Sequence, residues 1–127
     1  MRLTLDDCKT MDFEVLMRQI YGVLDRYAAP EGRPETEEQL AARISLTLDE
    51  LPDVYTWLRS LWSYFAHWTS GFEQIHGRNS DEYKDMIIRR DALEKAASAA
   101  KLRYDGTSRR LTQVLAAAEE AGLRHSR

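Results

Sequence analysis

The sequence has little of what several classes of protein need. Its 127 residues include one cysteine, Cys8, so neither an intrachain disulfide nor a cysteine-based zinc site can form. Three prolines and six glycines are too few for the many turns of an all-β sandwich. No apolar run approaches the roughly 18 residues that a membrane span requires. We therefore expect no membrane partner and a cytoplasmic location, that of the bacterial host if the gene is carried by a phage.

Charge is distributed unevenly along the chain. Residues 1–77 carry 7 basic and 13 acidic residues, whereas residues 78–127 carry 11 basic and 8 acidic residues. Two interpretations follow. Either the acidic half packs beside the basic half, or the basic half faces a polyanion such as nucleic acid. The calculated pI of about 5.6 is unlike that of dedicated DNA-binding domains, which usually exceeds about 9.

Apolar spacing in the first third of the chain predicts two helices separated by a loop. Residues 11–28 place apolar side chains at helical intervals, which indicates one amphipathic helix. Proline and glycine then predict a loop over residues 29–35. Thr36 and Gln39 form a capping-box pattern that opens a short helix over residues 36–46.

A second capping-box pattern at Thr47 to Glu50, with Pro52 in the following first turn, predicts a new helix over residues 48–76. From Val54 to Ile75 its apolar residues alternate steps of four and three, the spacing of a coiled-coil seam. Four further aromatic residues lie off this seam, so the helix is apolar on more than one face. They are Tyr55, Trp57, Trp62 and Tyr64. We expect the N-terminal helices or another subunit to cover them.

The last segment, residues 80–121, has the same alternation of three and four, with small side chains at many seam positions. Gly77 fits a helix C-cap, and Asn79 with Glu82 fits the cap of the helix that follows. Gly106 is unfavourable inside a helix by about 1 kcal/mol relative to alanine, so a kink or a break is expected there.

These patterns predict an all-α fold formed by one helical domain over residues 1–127. Its main feature is a long antiparallel helical hairpin, about 53–76 and 80–121, with two shorter N-terminal helices at one end. Because a two-helix hairpin buries little apolar surface by itself, we expect a homo-oligomer.

The residue types that catalysis or metal binding requires are sparse. Glu73 and His76 have the spacing of a di-iron motif, which would need a second copy of the chain to complete the site. The carboxylate pair Glu35 and Glu38, like the later pair Glu82 and Asp85, is better explained as first-turn acids of helices. Cys8 has no histidine near it in sequence. We predict no catalytic residues, no metal site, no cofactor and no enzymatic activity.

Basic residues are densest between positions 101 and 110. Cations beside an aromatic ring suit single-stranded nucleic acid, because the cations neutralise phosphates while the ring stacks on bases. The candidate nucleic-acid-binding residues are Lys101, Arg103, Tyr104, Arg109 and Arg110. The alternative is a solvated helix face, or a surface that pairs with the acidic half of the chain.

Residues 89–105, RRDALEKAASAAKLRYD, follow an aromatic-rich helix and a short polar turn. Over residues 54–110 this arrangement resembles the UvsY-like recombination mediator family of phages. The resemblance implies a small helical oligomer that helps to load a recombinase onto single-stranded DNA, with Lys101, Arg103, Arg109 and Arg110 touching the DNA. The resemblance consists of the order of an aromatic helix, a turn and an Ala/Lys/Arg-rich helix. The acidic N-terminal helices of this chain have no counterpart in the family.

Two functions follow as hypotheses. The first is a phage-type recombination mediator or another accessory protein associated with single-stranded DNA. The second is a helical scaffold or adaptor, structural or regulatory, whose partner is a protein. Salt distinguishes them, because nucleic-acid binding weakens steeply as salt rises and a hydrophobic helix interface does not.

Overall fold

The computed structural model describes the backbone of residues 2–125 and the side chains of residues 2–122. It contains four helices: α1 (Leu5–Thr10), α2 (Phe13–Asp25), α3 (Glu37–His76) and α4 (Asp81–His125). No strand occurs in the described part of the chain. The prediction of an all-α fold built on a helical hairpin is confirmed, since α3 and α4 pack against each other along most of their length.

Helix α3 is longer than predicted. The sequence pattern divides residues 36–76 into two helices, but the structure has one unbroken helix of 40 residues, about 60 Å long. Thr47 does not cap a helix: it is fully buried. The division was wrong because Ile44, Thr47, Leu51 and Val54 together bury one continuous face, and this burial outweighs the local stop pattern.

Pro52 therefore lies inside α3, with its side chain on the exposed side of the helix. A proline inside a helix removes one backbone hydrogen bond and costs about 3 kcal/mol. Leu51 and Val54 on either side of it are buried in the core. Their burial holds the helix together across the proline.

The two short helices that precede the hairpin are α1 and α2, and α1 was not predicted. Thr4 caps α1, because its side chain accepts a hydrogen bond from the backbone of Asp7 at 3.2 Å. The predicted helix over residues 11–28 corresponds to α2, which ends three residues earlier, at Asp25. Tyr27 then donates a hydrogen bond to Glu50 of α3 at 3.0 Å, which fastens this end of α2 to the hairpin.

The observed helix caps of the hairpin agree closely with the caps predicted from the sequence. Thr36 and Gln39 form the predicted capping box, with both hydrogen bonds at 3.1 Å. Gly77 ends α3 with a positive φ of 85°, a conformation that favours glycine. The predicted cap at Asn79 is wrong by one residue, because Ser80 Oγ accepts the hydrogen bond from the backbone of Tyr83.

Helix α4 continues without a break from Asp81 to His125, about 67 Å. A kink or a break was expected at Gly106, and the break is absent: Thr107 beside it is buried and accepts a hydrogen bond from Arg43 of α3. The predicted seams form the core over part of their length, but Ile75 at the end of the α3 seam is 80% exposed. Leu58, Leu61 and Phe65 of α3 are buried with Ala97 and Ala100 of α4, so large side chains of one helix pack with small ones of the other.

Candidate interaction surface

The open end of the hairpin, where α3 begins, carries an apolar groove between α3 and α4. The guanidinium of Arg43 in α3 donates a hydrogen bond to Thr107 Oγ1 in α4 at 3.4 Å, which links the two helices at this end. Beyond this bond the groove has a volume of about 570 Å³. Its lining is Glu37, Leu40, Ala41, Ile44, Ser45, Arg110, Leu111 and Val114.

Helix α4 extends past the groove. Val114 shares the groove with Glu37, the first residue of α3, so α3 offers nothing to pack against farther along α4. Every residue from Leu115 to Gly122 is exposed, and Leu115 is 59% exposed. We call residues 115–125 of α4 the overhang.

The apolar seam of α4 does not stop where α3 stops. Leu111 and Val114 are followed at helical spacing by Leu115 and Ala118, on the same face of the helix. We call the apolar residues of the groove, together with exposed Leu115 and Ala118, the C-terminal surface. Its members are Leu40, Ala41, Ile44, Leu111, Val114, Leu115 and Ala118.

The cations predicted to bind nucleic acid do not form one basic face. Lys101 and Arg103 are two positions apart, which turns their side chains to nearly opposite sides of α4. Arg103 is half-buried, with its guanidinium 3.6 Å from the carboxylate of Asp25 in α2. Lys101 and Arg109 are exposed.

Arg110 lies near an ion pair formed by the acidic half of the chain. Glu35 accepts two hydrogen bonds from Arg43, at 2.7 and 3.0 Å, and both side chains are largely buried. The bonds from Arg43 lower the pKa of the Glu35 carboxyl, and the positive charge of Arg110 adds to this lowering. Arg103 thus pairs with a carboxylate of the N-terminal half, and the charge of exposed Arg110 acts on Glu35, which matches the alternative interpretation of the cations at positions 101–110.

One smaller groove brings together residues from both predicted sites. Tyr104 and Lys101 of α4 line it with Tyr55 of α3, beside Leu51 and Pro52. Its volume is about 330 Å³. Tyr104 is half-buried against the core, so only part of its ring is accessible for stacking.

The aromatic residues predicted to form an interface have different environments. Trp57 packs against the core and lies 5.7 Å from the guanidinium of Arg2, so the N-terminus covers part of it. Trp62 is half-buried, and the guanidinium of Arg59 lies 5.2 Å from its ring. Tyr55 is half-buried, whereas Tyr64 is 66% exposed. Only Tyr64 is therefore widely accessible to a partner.

The residues considered as candidates for catalysis or metal binding form structural contacts within the hairpin or lie in the core. Glu73 accepts hydrogen bonds from Tyr83 and Arg78, both at 3.1 Å, and so ties the hairpin turn together. His76 stacks on Phe72, with ring centroids 4.1 Å apart. Cys8 is fully buried, and burial raises the pKa of its thiol to about 11. Within residues 2–125, no group of three potential metal ligands occurs.

The groove and the overhang were not predicted, although Leu111, Val114 and Ala118 follow the alternation of three and four that the sequence has over residues 80–121. The spacing of Leu40 and Ile44 extends the seam of α3 backwards, which is a signal that could have been used. The point at which α3 stops covering α4 depends on the alignment of the two helices, which periodicity does not specify.

No protein-family model, curated protein or solved structure matches this chain. Among residues 2–125, no helix combines the length and the apolar character needed to cross a membrane.

Proposed function

We propose that this chain is a non-catalytic helical scaffold or adaptor that binds a protein helix through the C-terminal surface. One observation supports this most strongly: the seam that α3 covers continues along α4 into exposed Leu115 and Ala118. A surface of this kind suits an amphipathic helix, which docks apolar residues at intervals of three and four into a groove.

The distribution of charge favours a protein partner over nucleic acid. A nucleic-acid interface needs several cations on one face, free to meet phosphates. Arg103 pairs with Asp25 and the side chain of Arg89 is buried, so neither is free. Acidic Asp105 and Glu94 are exposed among the remaining cations of α4.

A second candidate is an accessory protein for single-stranded DNA, as the resemblance to the recombination mediators implies. Lys101 and Arg109 favour it, because both are exposed and neither has an acidic partner among the ion pairs of the described residues. On this hypothesis the chain is an oligomer that acts with a recombinase in the cytoplasm.

Site-specific photo-cross-linking in the cells from which the gene comes tests the protein-binding function. A benzophenone amino acid replaces Leu115 on the C-terminal surface, and in a matched control it replaces Gln113, which is exposed on the opposite side of α4. We expect protein adducts from position 115 and few from position 113. Equal labelling at both positions, adducts with nucleic acid, or no adducts at position 115 would reject the proposal.

A further inference from the structure

We infer that the partner of the C-terminal surface is the same surface of a second copy of this chain, packed antiparallel about a two-fold axis. This inference rests on the proposed function and names the partner. In such a dimer each overhang lies in the groove of the other copy, and one contact generates the other by symmetry.

The order of large and small residues along the overhang supports self-pairing. The seam runs from Leu111 and Val114 near the hairpin to Ala118 and Ala121 towards the end of the chain. An antiparallel pair with its axis near position 116 brings Leu111 opposite Ala121 of the partner subunit. It also brings Val114 opposite Ala118 of the partner subunit. Each of these two large side chains then meets a small one, as the hairpin core already pairs leucines with alanines.

The groove has a shape that this arrangement can fill. In the same alignment, Ala121 and Gly122 of the partner subunit reach the level of Leu111, which shares the groove with Leu40. Alanine and glycine let a helix backbone approach a groove of about 570 Å³ closely. Large side chains at these two positions would keep a helix farther from Ile44, which lines the groove.

The contact also continues an interface that exists within the chain. The positions of α4 that pack against α3, among them Ala97, Ala100 and Thr107, belong to the same seam as Leu111, Val114 and Ala118. The overhang is the end of α4, and a helix end that no other element covers frays. A second overhang packed along this seam stabilises it as α3 stabilises the rest of α4.

Sedimentation equilibrium of the full chain tests the inference. The interface is small, so we expect a dissociation constant on the order of micromolar and a mass that rises with concentration towards twice 14.7 kDa. Leu115→Glu places two carboxylates beside the axis and should weaken dimerisation at least about tenfold. Gln113→Glu adds the same charge on the opposite side of α4 and should leave the mass unchanged. Circular dichroism checks that both variants keep their helix content.

Cysteine cross-linking tests the direction of packing. A mixture of Val114→Cys and Ala118→Cys chains should form the disulfide between positions 114 and 118 faster than either variant forms a disulfide with itself. Native Cys8 does not compete, because it is fully buried with a thiol pKa raised to about 11. Faster self-pairing of the single variants would show parallel packing and overturn the inference.

The remaining outcomes separate this inference from the proposed function. A monomer at all concentrations up to about 0.5 mM, far above a micromolar dissociation constant, would overturn the inference. So would a dimer that Leu115→Glu leaves intact. If position 115 nevertheless cross-links to a different protein in cells, the proposed function stands with another partner. If it cross-links to no protein, both fail.

Discussion

Arg89 of α4 donates a hydrogen bond from Nη1 to the backbone carbonyl oxygen of Cys8 in α1, at 3.1 Å. The same nitrogen donates to the carbonyl of Met11, and Nε donates to the carboxylate of Asp85 at 3.1 Å. The guanidinium thus satisfies carbonyls at the end of α1 that the helix itself leaves without partners. Arg89, a cation of the basic half of the chain that is only 7% exposed, therefore holds the N-terminal helix against the hairpin.

Replacing this guanidinium should destabilise the fold. Arg89→Met keeps an unbranched stem but leaves the two carbonyls unpaired in a buried environment, so we expect the free energy of unfolding to fall by about 2–4 kcal/mol. Arg90→Met is the matched control: within the described residues Arg90 forms its ion pair with neighbouring Asp91, so this substitution should cost at most about 1 kcal/mol. Urea denaturation followed by circular dichroism measures both. Similar losses for the two variants would contradict the role assigned to Arg89.

The Cys8 thiol should be unreactive in the folded chain. Burial, with a further contribution from the charge of Asp7, raises its pKa from 9.0 to about 11. Because the thiolate is the nucleophile, we expect iodoacetamide to alkylate Cys8 slowly at pH 8, with a large acceleration in urea. Rapid alkylation without denaturant would show that α1 does not bury this residue.

The raised pKa also predicts how stability changes with pH. The folded state holds the thiol proton more tightly than the unfolded state, so this contribution to stability is complete below pH 9 and is lost as the pH rises from 9 towards 11. Cys8→Ala should reduce the fall in stability over that range. Some of the fall should remain, because the pKa of Tyr27 is raised as well. A variant with the same pH profile as the parent chain would contradict this assignment.

Gly106 should be a position where alanine stabilises the chain. It lies inside α4, and a methyl group there would meet no atom within 4 Å. Gly106→Ala should therefore raise the free energy of unfolding by about 0.5–1 kcal/mol, through the better helix propensity of alanine. Gly77→Ala is the contrasting control: its φ of 85° disfavours alanine, so that variant should lose stability. Denaturation curves that shift in the same direction for both would contradict this explanation.

Much of the hairpin could be predicted because its periodicity is strong. The steps of three and four from Val54 to Phe65 identified side chains that are buried, and the alanines at 97 and 100 lie in the same core. The false boundary before Pro52 arose because a local capping pattern was given more weight than periodicity. Ile44, Thr47 and Leu51 continue the seam through the proline.

The candidate site could be predicted only in part, for two physical reasons. Whether Arg103 meets a phosphate or Asp25 depends on where α2 packs, and helical periodicity holds no information about contacts between distant segments. The exposed seam of the overhang likewise depends on the alignment of α3 with α4. The periodicity around Leu115 is the same whether or not another helix covers this residue, so its exposure could not be predicted from the sequence.

Binding to single-stranded DNA should be weak and should not depend on the cations singled out by the sequence. We expect a labelled oligonucleotide at low salt to bind the parent chain and the quadruple variant of Lys101, Arg103, Arg109 and Arg110 to alanine equally poorly, because these cations do not form one face. Fluorescence anisotropy over a salt series measures the binding.

A second quadruple variant controls for net charge alone. It removes four exposed cations that lie outside positions 101–110, namely Arg18, Arg33, Lys84 and Lys95. Binding that falls steeply with salt, and is lost only in the variant of positions 101–110, would support the DNA-associated function instead.

Amide hydrogen exchange of residues 115–122 in the full chain, measured over a series of protein concentrations, tests the central claim most directly. A helix end that nothing covers exchanges its amide protons quickly, because it frays. We predict protection that increases with concentration across these residues and disappears in Leu115→Glu, while the protection of Leu58 and Leu93 in the hairpin core stays constant. Fast exchange in residues 115–122 at every concentration would contradict the claim that a second copy covers the C-terminal surface.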